Sequence, residues 1–505
     1  MKKKIFNFGI LAAVIIIAVS GFDKFNPSNN VTVLDFKKID ANQISTYITN
    51  RGGFDREPNT GNAGFNWPKG SGTYAVYASG LWLSCRINDS IRIAIAEYDS
   101  YFKPGYFDYN TQMPMGAEDP DYRLYKVSPA FPNGNSDFDA WSLWPVQQGA
   151  PWEDNNGNGI YEPPADNPVM KGDQNLFCSF TDGYRDSVQI IRITPPLRAE
   201  IHLYAWAKSN PICADVINYE WKIINKNVSD WTDFSTAIWS DIDIGSATND
   251  KGGVDSTKNL AYGYNGTNND PQYGLAPPAV GVIIKEATGH LNSQYKSDYA
   301  YVFRCGFGDC PGDSLETYNI MHGLRTNGSN IINPISNNVT RYKYSGDPVG
   351  GGGWNDSTSG DKQIFIGSMI GDVESLDTVD FKTISIIKKG SSNLASVTDL
   401  KHCVDLVISV NNISSEIPSD FKLYQNYPNP FNPETKIRFS LSNKNFVTMK
   451  IFDVLGREVE TLVNLNYDAG TYEVNFNAAG LPSGIYYYTL KAGDFIDTKK
   501  MMVVK

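Results

Sequence analysis

Apolar and polar positions alternate along much of the chain between residues 73 and 388. Ile91, Ile93 and Ile95 alternate with Arg92, Ala94 and Ala96. Ile217, Tyr219, Trp221 and Ile223 alternate with Asn218, Glu220 and Lys222. A period of two is that of a strand with one buried face. It predicts strands at 73–85, 91–98, 187–193, 199–208, 216–225, 235–239, 280–286, 299–304 and 380–388. Residues 31–48 have irregular apolar spacing and are read as one short helix. Residues 102–172 and 241–274 are polar and aperiodic. Long stretches of that kind are functional or ion-organised loops more often than filler.

Both ends of the chain depart from this pattern. Lys2, Lys3 and Lys4 precede an apolar run, Ile5 to Val19, and Ala18-Val19-Ser20 places small residues before Gly21. Basic, apolar, small is the order of a secretory signal peptide, so residues 1–21 are expected to be removed. No later apolar run is long enough to span a bilayer, so no transmembrane segment is expected in the mature chain. Residues 411–421 are polar, contain Pro418 and read as a linker. Beyond them, strands at 435–441, 446–452, 458–462, 470–476, 484–492 and 498–504 are evenly spaced. The expected fold is mainly β, with a multi-domain β-sandwich-type body of one or two subdomains over 22–410. A C-terminal Ig-like antiparallel β-sandwich follows over 422–505.

Composition narrows the function. Of 505 residues 13% are aromatic, and with 44 Gly and 27 Pro the chain favours short strands and turns over long helices. Net charge is −11. Residues 416–505 balance acid and base, so the acidic excess lies in the body. That argues against nucleic acid and anionic membrane as partners and is compatible with bound cations. Six cysteines in an exported chain permit disulfides. Only Cys305 and Cys310 are close in sequence, across a turn-like Gly306-Phe307-Gly308-Asp309, and they are the expected pair.

Two segments suggest Ca2+. In Asp154-Asn-Asn-Gly-Asn-Gly-Ile-Tyr-Glu162, the residues Asp154, Asn156, Asn158 and Gly159 match positions 1, 3, 5 and 6 of a calcium loop. Ile160 can offer its carbonyl, and Glu162 falls at position 9. Position 12 is Ala165, so the loop is not an EF-hand, and Asp166 would close the shell. A solvated Asn/Gly turn uses the same residues. The second segment holds Asp241 and Asp243 at i, i+2 on one face of a strand end, followed by Asp250 and Asp255. Carboxylates this crowded need a cation or a proton to coexist. A surface acidic loop is the alternative. A general acid and base for glycoside hydrolysis is a third reading. No HExxH or GxSxG motif occurs, and His202, His290, His322 and His402 are scattered. Trp67, Trp82, Trp141, Trp144, Trp152, Trp231 and Trp354 are candidates for stacking on sugars.

The tail contains Tyr427, Pro428, Asn429, Pro430, Phe431, Asn432 and Pro433, then Asp453-Val-Leu-Gly456-Arg-Glu458. Gly484-Ile-Tyr-Tyr-Tyr-Thr-Leu490 follows, and the chain closes on Met501-Met-Val-Val-Lys505. In this order and spacing the segment resembles the C-terminal sorting domain of type IX secretion cargo. The resemblance implies passage through the periplasm, docking on the outer-membrane translocon and release or anchoring at the extracellular cell surface. It also implies tail removal by a sortase, near 411–420, and surface glycolipid as an attachment partner. The body, at Trp67–Gly72, Gly80–Leu83, Gly172–Gln174, Trp239–Asp243 and Pro277–Gly281, resembles a family of uncharacterised secreted proteins. The sequence therefore suggests a non-enzymatic structural or adhesive protein with calcium-stabilised loops. A glycan-binding protein, or a secreted hydrolase using Asp241 and Asp243, is the alternative.

Overall fold

The computed structural model describes residues 32–130, 137–184, 194–209, 213–288, 294–295, 297–304, 310–414, 418–467 and 469–505. The expected signal peptide, the strand expected at 187–193 and Cys305 lie outside the described residues. The long strands of the body are, in chain order, β1 (Tyr74–Ile87), β2 (Gln174–Thr181), β3 (Ala199–Ala207), β4 (Asp215–Asn225), β5 (Trp231–Ile242), β6 (Asp250–Asp255), β7 (Leu260–Asn265), β8 (Ala279–Thr288), β9 (Tyr299–Phe303), β10 (Lys362–Val373) and β11 (Thr378–Lys388). One sheet carries β1–β5–β10–β9 and the other β2–β3–β4–β11–β8–β7–β6, all antiparallel.

The two sheets bury one shared core. Ile217, Tyr219, Trp221 and Ile223 of β4 meet Phe234, Ile238 and Ile242 of β5 there. The alternation read in β4 is thus its inward face. The outer faces are covered as well, which is why these strands carry apolar residues on both sides. Helix α1 (Ser314–Ile320) packs with Trp82, Trp239, Tyr299 and Phe365 on the first sheet. Helix α2 (Asn393–Ser409) lays Val397, Leu400 and Val404 on the second, against Leu260, Ile283 and Ile384. Trp144, from the long polar segment 102–172, packs on Phe177 and Tyr204.

Several expectations are corrected. Residues 31–48 hold no helix in their described part. Phe36–Ile39 and Thr46–Thr49 pair as an antiparallel ribbon continuing the first sheet, where edge pairing overrides weak local propensity. The stretch 241–274 is not a loop throughout, since it contains β6 and β7. Its glycines masked the strand pattern, and packing accounts for one of them. A Cβ at Gly252 would sit 2.3 Å from Cγ1 of Val302 on β9, so only glycine lets the two sheets approach there. Asn411–Ser414, the start of the stretch read as linker, belongs to a strand that pairs with the tail. The structure adds a disulfide the spacing did not suggest, Cys213–Cys403, which ties α2 to the start of β4. Cys85 and Cys178 are free and buried. Cys310 is disulfide-bonded.

The tail contains β12 (Val410–Ser414), β13 (Glu434–Leu441), β14 (Asn445–Phe452), β15 (Glu458–Tyr467), β16 (Gly470–Asn477), β17 (Gly484–Ala492) and β18 (Phe495–Val503). Sheets β12–β16–β13 and β15–β14–β17–β18 enclose a separate core of Phe439, Val447, Ile451, Val474, Tyr488 and Met501. The β12 strand runs directly on from α2, so a helix packed on the body leads into an edge strand of the tail sandwich.

One buried acid in the body gives a pH dependence. Asp55 is 1% exposed between the sheets, and the Thr46 hydroxyl donates to its Oδ1 at 2.9 Å. Burial pushes its carboxyl up to about 7, opposed by hydrogen bonds from Ser79 and Thr46. Burial likewise raises Asp182 to about 6 against the N–H groups of Ala199 and Leu197. A native carboxyl that holds its proton above the unfolded value stabilises the fold at low pH. That contribution is complete below the unfolded value and is lost as pH rises through the folded one. In excess EDTA, so that no cation competes for the carboxylates, urea midpoints are therefore expected to rise as pH falls from about 7.5 to about 5. Asp55→Asn should lessen, without abolishing, the part of this slope above about pH 6, since Asp241, raised by burial to about 7, titrates in the same window. A midpoint that falls with acidification across this window would contradict the assignment.

Candidate metal centre and the C-terminal domain

Strand β5 turns Ala237, Trp239 and Asp241 to the outer face of the first sheet. Asp241 stands opposite Ala78 of β1 and Gln363 of β10. The chain leaves the sheet just beyond, where the Asp243 N–H donates to the Ala75 carbonyl at 3.2 Å. Because Ile242 pairs with Lys362, the residue before β10, Asp361, arrives beside both carboxylates. Asp241, Asp243 and Asp361 each offer an oxygen, and these oxygens lie within 4.8 Å of one another. Among the described residues this is the one convergent group of three or more His, Cys, Asp or Glu side chains.

The electrostatics of the group are unfavourable without a cation. Asp241 is 6% exposed; its Oδ2 accepts the Tyr98 hydroxyl at 2.6 Å, and its Oδ1 has no hydrogen-bond partner. Burial pushes its carboxyl up to about 7; the Tyr98 hydrogen bond opposes this, and the Asp243 and Asp361 charges add to it. Burial and the Asp361 charge take Asp243 to about 6. Asp250 is fully buried behind them. Its Oδ2 accepts the Ile244 N–H at 3.0 Å, and its Oδ1 is also unpartnered. Burial and the charges of Asp243, Asp270 and Asp361 drive its carboxyl well upward, against the Ile244 hydrogen bond. Oxygen-only donors, partly buried and open at Asp361, suit a hard divalent cation such as Ca2+.

Of the four acids read from this segment, Asp255 stands apart. It pairs with Lys401 of α2 at 3.1 Å and accepts the Thr257 hydroxyl at 2.7 Å. Burial works against its charge, but those contacts hold its carboxyl below the usual value. Asp361 was not read from the sequence. It lies far along the chain, and only the β5–β10 register shows its place.

The Asp154–Asp166 loop is built differently. Asp154 Oδ1 accepts the Gly157 and Asn158 N–H groups at 2.7 and 3.2 Å, and its Oδ2 accepts Gly159 at 2.8 Å. Asn156 and Asn158 accept the N–H groups of Asn158 and Ile160, and Glu162 accepts the Asn158 amide. Asp166 is buried and clamps the N–H groups of Asn155 and Glu162. Side-chain oxygens of Asp154, Asn156, Asn158 and Asp166 thus each accept an N–H of the loop's own backbone. Of the tryptophans considered for sugars, Trp67, Trp82, Trp144 and Trp231 are buried packing residues. Trp141, Trp152 and Trp354 are partly exposed.

In the tail, the segment 427–433 lies along the end of the sandwich. Tyr427 exchanges two backbone hydrogen bonds with Lys436 and leaves its ring 80% exposed. Phe431 is buried, and its backbone pairs with Met502 and Val504. Asn429 Oδ1 accepts the Met502 N–H at 2.9 Å. Tyr488 holds the residues just before this segment, donating to the Tyr424 carbonyl and accepting the Asn426 N–H. The β14–β15 turn is closed by Asp453, which accepts the Leu455 and Arg457 N–H groups. Gly456 in that turn has φ +75°, where a side chain would be strained. Gly484 opens β17 with no such demand. The motif residues spread over the sequence therefore meet on one sandwich.

Residues 425–505 match the secretion system C-terminal sorting domain. The sorting domain makes this chain a type IX secreted protein, exported to the cell surface or extracellular space. No curated protein matches the chain. No described helix is long and apolar enough to cross a membrane.

Proposed function

We propose that the body is a non-enzymatic structural or adhesive module, exported by the sorting domain and stabilised by Ca2+ held by Asp241, Asp243 and Asp361. The observation that carries the metal assignment is the Asp241 Oδ1, buried and unpartnered within a group of three carboxylates. A bound cation supplies the missing partner and offsets the mutual repulsion. The hydrolase reading fits less well. A glycosidase pair flanks a sugar-sized gap, whereas these three carboxylates bring oxygens within 4.8 Å of one another, and Tyr98 donates to Oδ2 of Asp241, the most buried of the three.

Outside the cell, millimolar calcium is ample for a site of this modest charge. By analogy with sorting-domain cargo, a sortase removes the tail near 411–421, and the cargo is released or joined to surface glycolipid. Intact masses of the protein recovered from washed cells and from medium test the route. The expected species lacks about twenty N-terminal residues and ends near 411–421, with added heterogeneous mass on the cell-bound form. A surface form that retains Lys505 would make the tail a permanent domain and contradict the processing step.

A further inference from the structure

The sorting domain is completed by a strand from outside it. Its family match begins at residue 425, and the described core of the sandwich runs from Leu423 to Val503. Yet the edge of the sheet β12–β16–β13 is Val410–Ser414, which precedes the match and continues from α2. Val410, Asn411, Asn412 and Ser414 stand opposite Val474, Glu473, Tyr472 and Thr471 of β16, with one irregularity between Asn412 and Ser414. Helix α2 is itself tied to the body, by the Cys213–Cys403 disulfide and by packing on β7, β8 and β11. A cut anywhere beyond Ser414 therefore leaves β12 on the body, while its hydrogen bonds are to the tail.

With β12 gone, β16 presents a row of unpaired N–H and C=O groups, which is a template for another strand. Its opposite edge is taken by β13. Along β16, Tyr472 and Val474 are buried in the tail core, while Thr471 and Glu473 alternate with them and are less buried. An added strand shares these faces, so the edge suits apolar residues opposite Val474 and Tyr472 and polar ones between. The resident strand meets this pattern only in part. Val410 stands opposite Val474, but Asn412 stands opposite Tyr472. Asn411 and Asn412 are also poor strand formers.

We propose that the edge of β16 is an acceptor site for an extended peptide with apolar residues at alternate positions. In the intact chain β12 fills it, and a cut beyond Ser414 opens it. A strand of five residues adds few backbone hydrogen bonds, so as separate pieces β12 and the tail pair with a Kd on the order of 1 mM. In the intact chain the connection holds β12 at a millimolar or higher effective concentration, and α2, which also touches β16, sets its direction. The cut removes that advantage. The strand then leaves with the body, and a better-matched strand adds to the bare edge. The inference rests on the processing reading only for when the cut is made in the cell. An engineered cut opens the same edge whether or not a sortase acts on this chain.

The test inserts a specific-protease site between Ser414 and Pro418 of the full chain and cuts it at micromolar concentration. Body and tail are expected to separate on size exclusion, with the tail still folded. Two peptides are then titrated in while the β16 amides are followed by NMR: Val-Asn-Asn-Ile-Ser, which is the β12 sequence, and the same peptide with Asn412→Ile. Shifts centred on residues 470–477 are expected, with a Kd on the order of 1 mM for the first and about tenfold tighter for the second. The uncut chain should bind each at least about tenfold more weakly. Asn411→Cys with Glu473→Cys, opposite in register, provides a lock. Oxidised, it should keep the cut pieces together and abolish peptide binding, and reduction should restore both separation and binding. Cut pieces that stay together without the lock, a tail that unfolds once β12 leaves, a folded tail that binds neither peptide, or equal binding by cut and uncut chains would each overturn the proposal.

Discussion

Replacing Cys403 with serine should cost about 4–5 kcal/mol of stability, the largest effect of any single change considered. The Cys213–Cys403 bridge spans 190 residues and so removes a large share of the freedom of the unfolded chain. It also holds α2, whose Val397, Leu400 and Val404 cover the outer face of β7, β8 and β11. Since β12 continues directly from α2, loosening the helix should loosen the join to the sorting domain as well. Urea unfolding of Cys403→Ser against the parent protein measures the loss, and limited proteolysis after residue 388 reports the helix. A change of under about 1 kcal/mol would mean that helix packing alone secures this element.

Lys362→Met should be nearly as damaging, at about 3–5 kcal/mol. The Lys362 ammonium and the Asp356 carboxylate are both buried and lie 2.8 Å apart. Asp356 also accepts the Gly252 N–H at 3.1 Å, joining the 346–361 segment to β6. Removing the lysine leaves a buried charge without its counter-ion. Adding Asp356→Asn removes that charge, keeps an acceptor for Gly252, and should restore most of the loss. If the double variant is no more stable than Lys362→Met alone, the penalty comes from packing and not from the stranded carboxylate.

The fold was legible where alternation is clean. The residues of β4 and the even strands of the tail were placed within a few positions because one face of each is buried and the other is not. The sequence hid strands where packing required glycine, as at Gly252 in β6, or where both faces are covered, as in β10. Helix α2 was open to reading, since Leu394, Val397, Leu400, Val404 and Val407 recur at helical spacing. Asp241 and Asp243 could be singled out because two acids at i, i+2 on an otherwise apolar strand are costly to bury. Asp361 could not, since nothing local to Gly360-Asp361-Lys362 marks it. Asp255 shared the local signal but turns to Lys401, a partner that only the tertiary fold supplies.

The most direct test of the calcium-stabilised body is thermal unfolding of the wild-type protein and of Asp241→Asn, each in millimolar calcium and in excess EDTA. Binding at about a hundredfold above Kd contributes about 2.7 kcal/mol. That corresponds to a rise in melting temperature of roughly 3–5 °C for a body of this size. The account predicts this rise for the wild type and for Asp255→Asn, and none for Asp241→Asn. A wild-type melting temperature that is the same in calcium and EDTA, or a calcium response that survives Asp241→Asn, would contradict it.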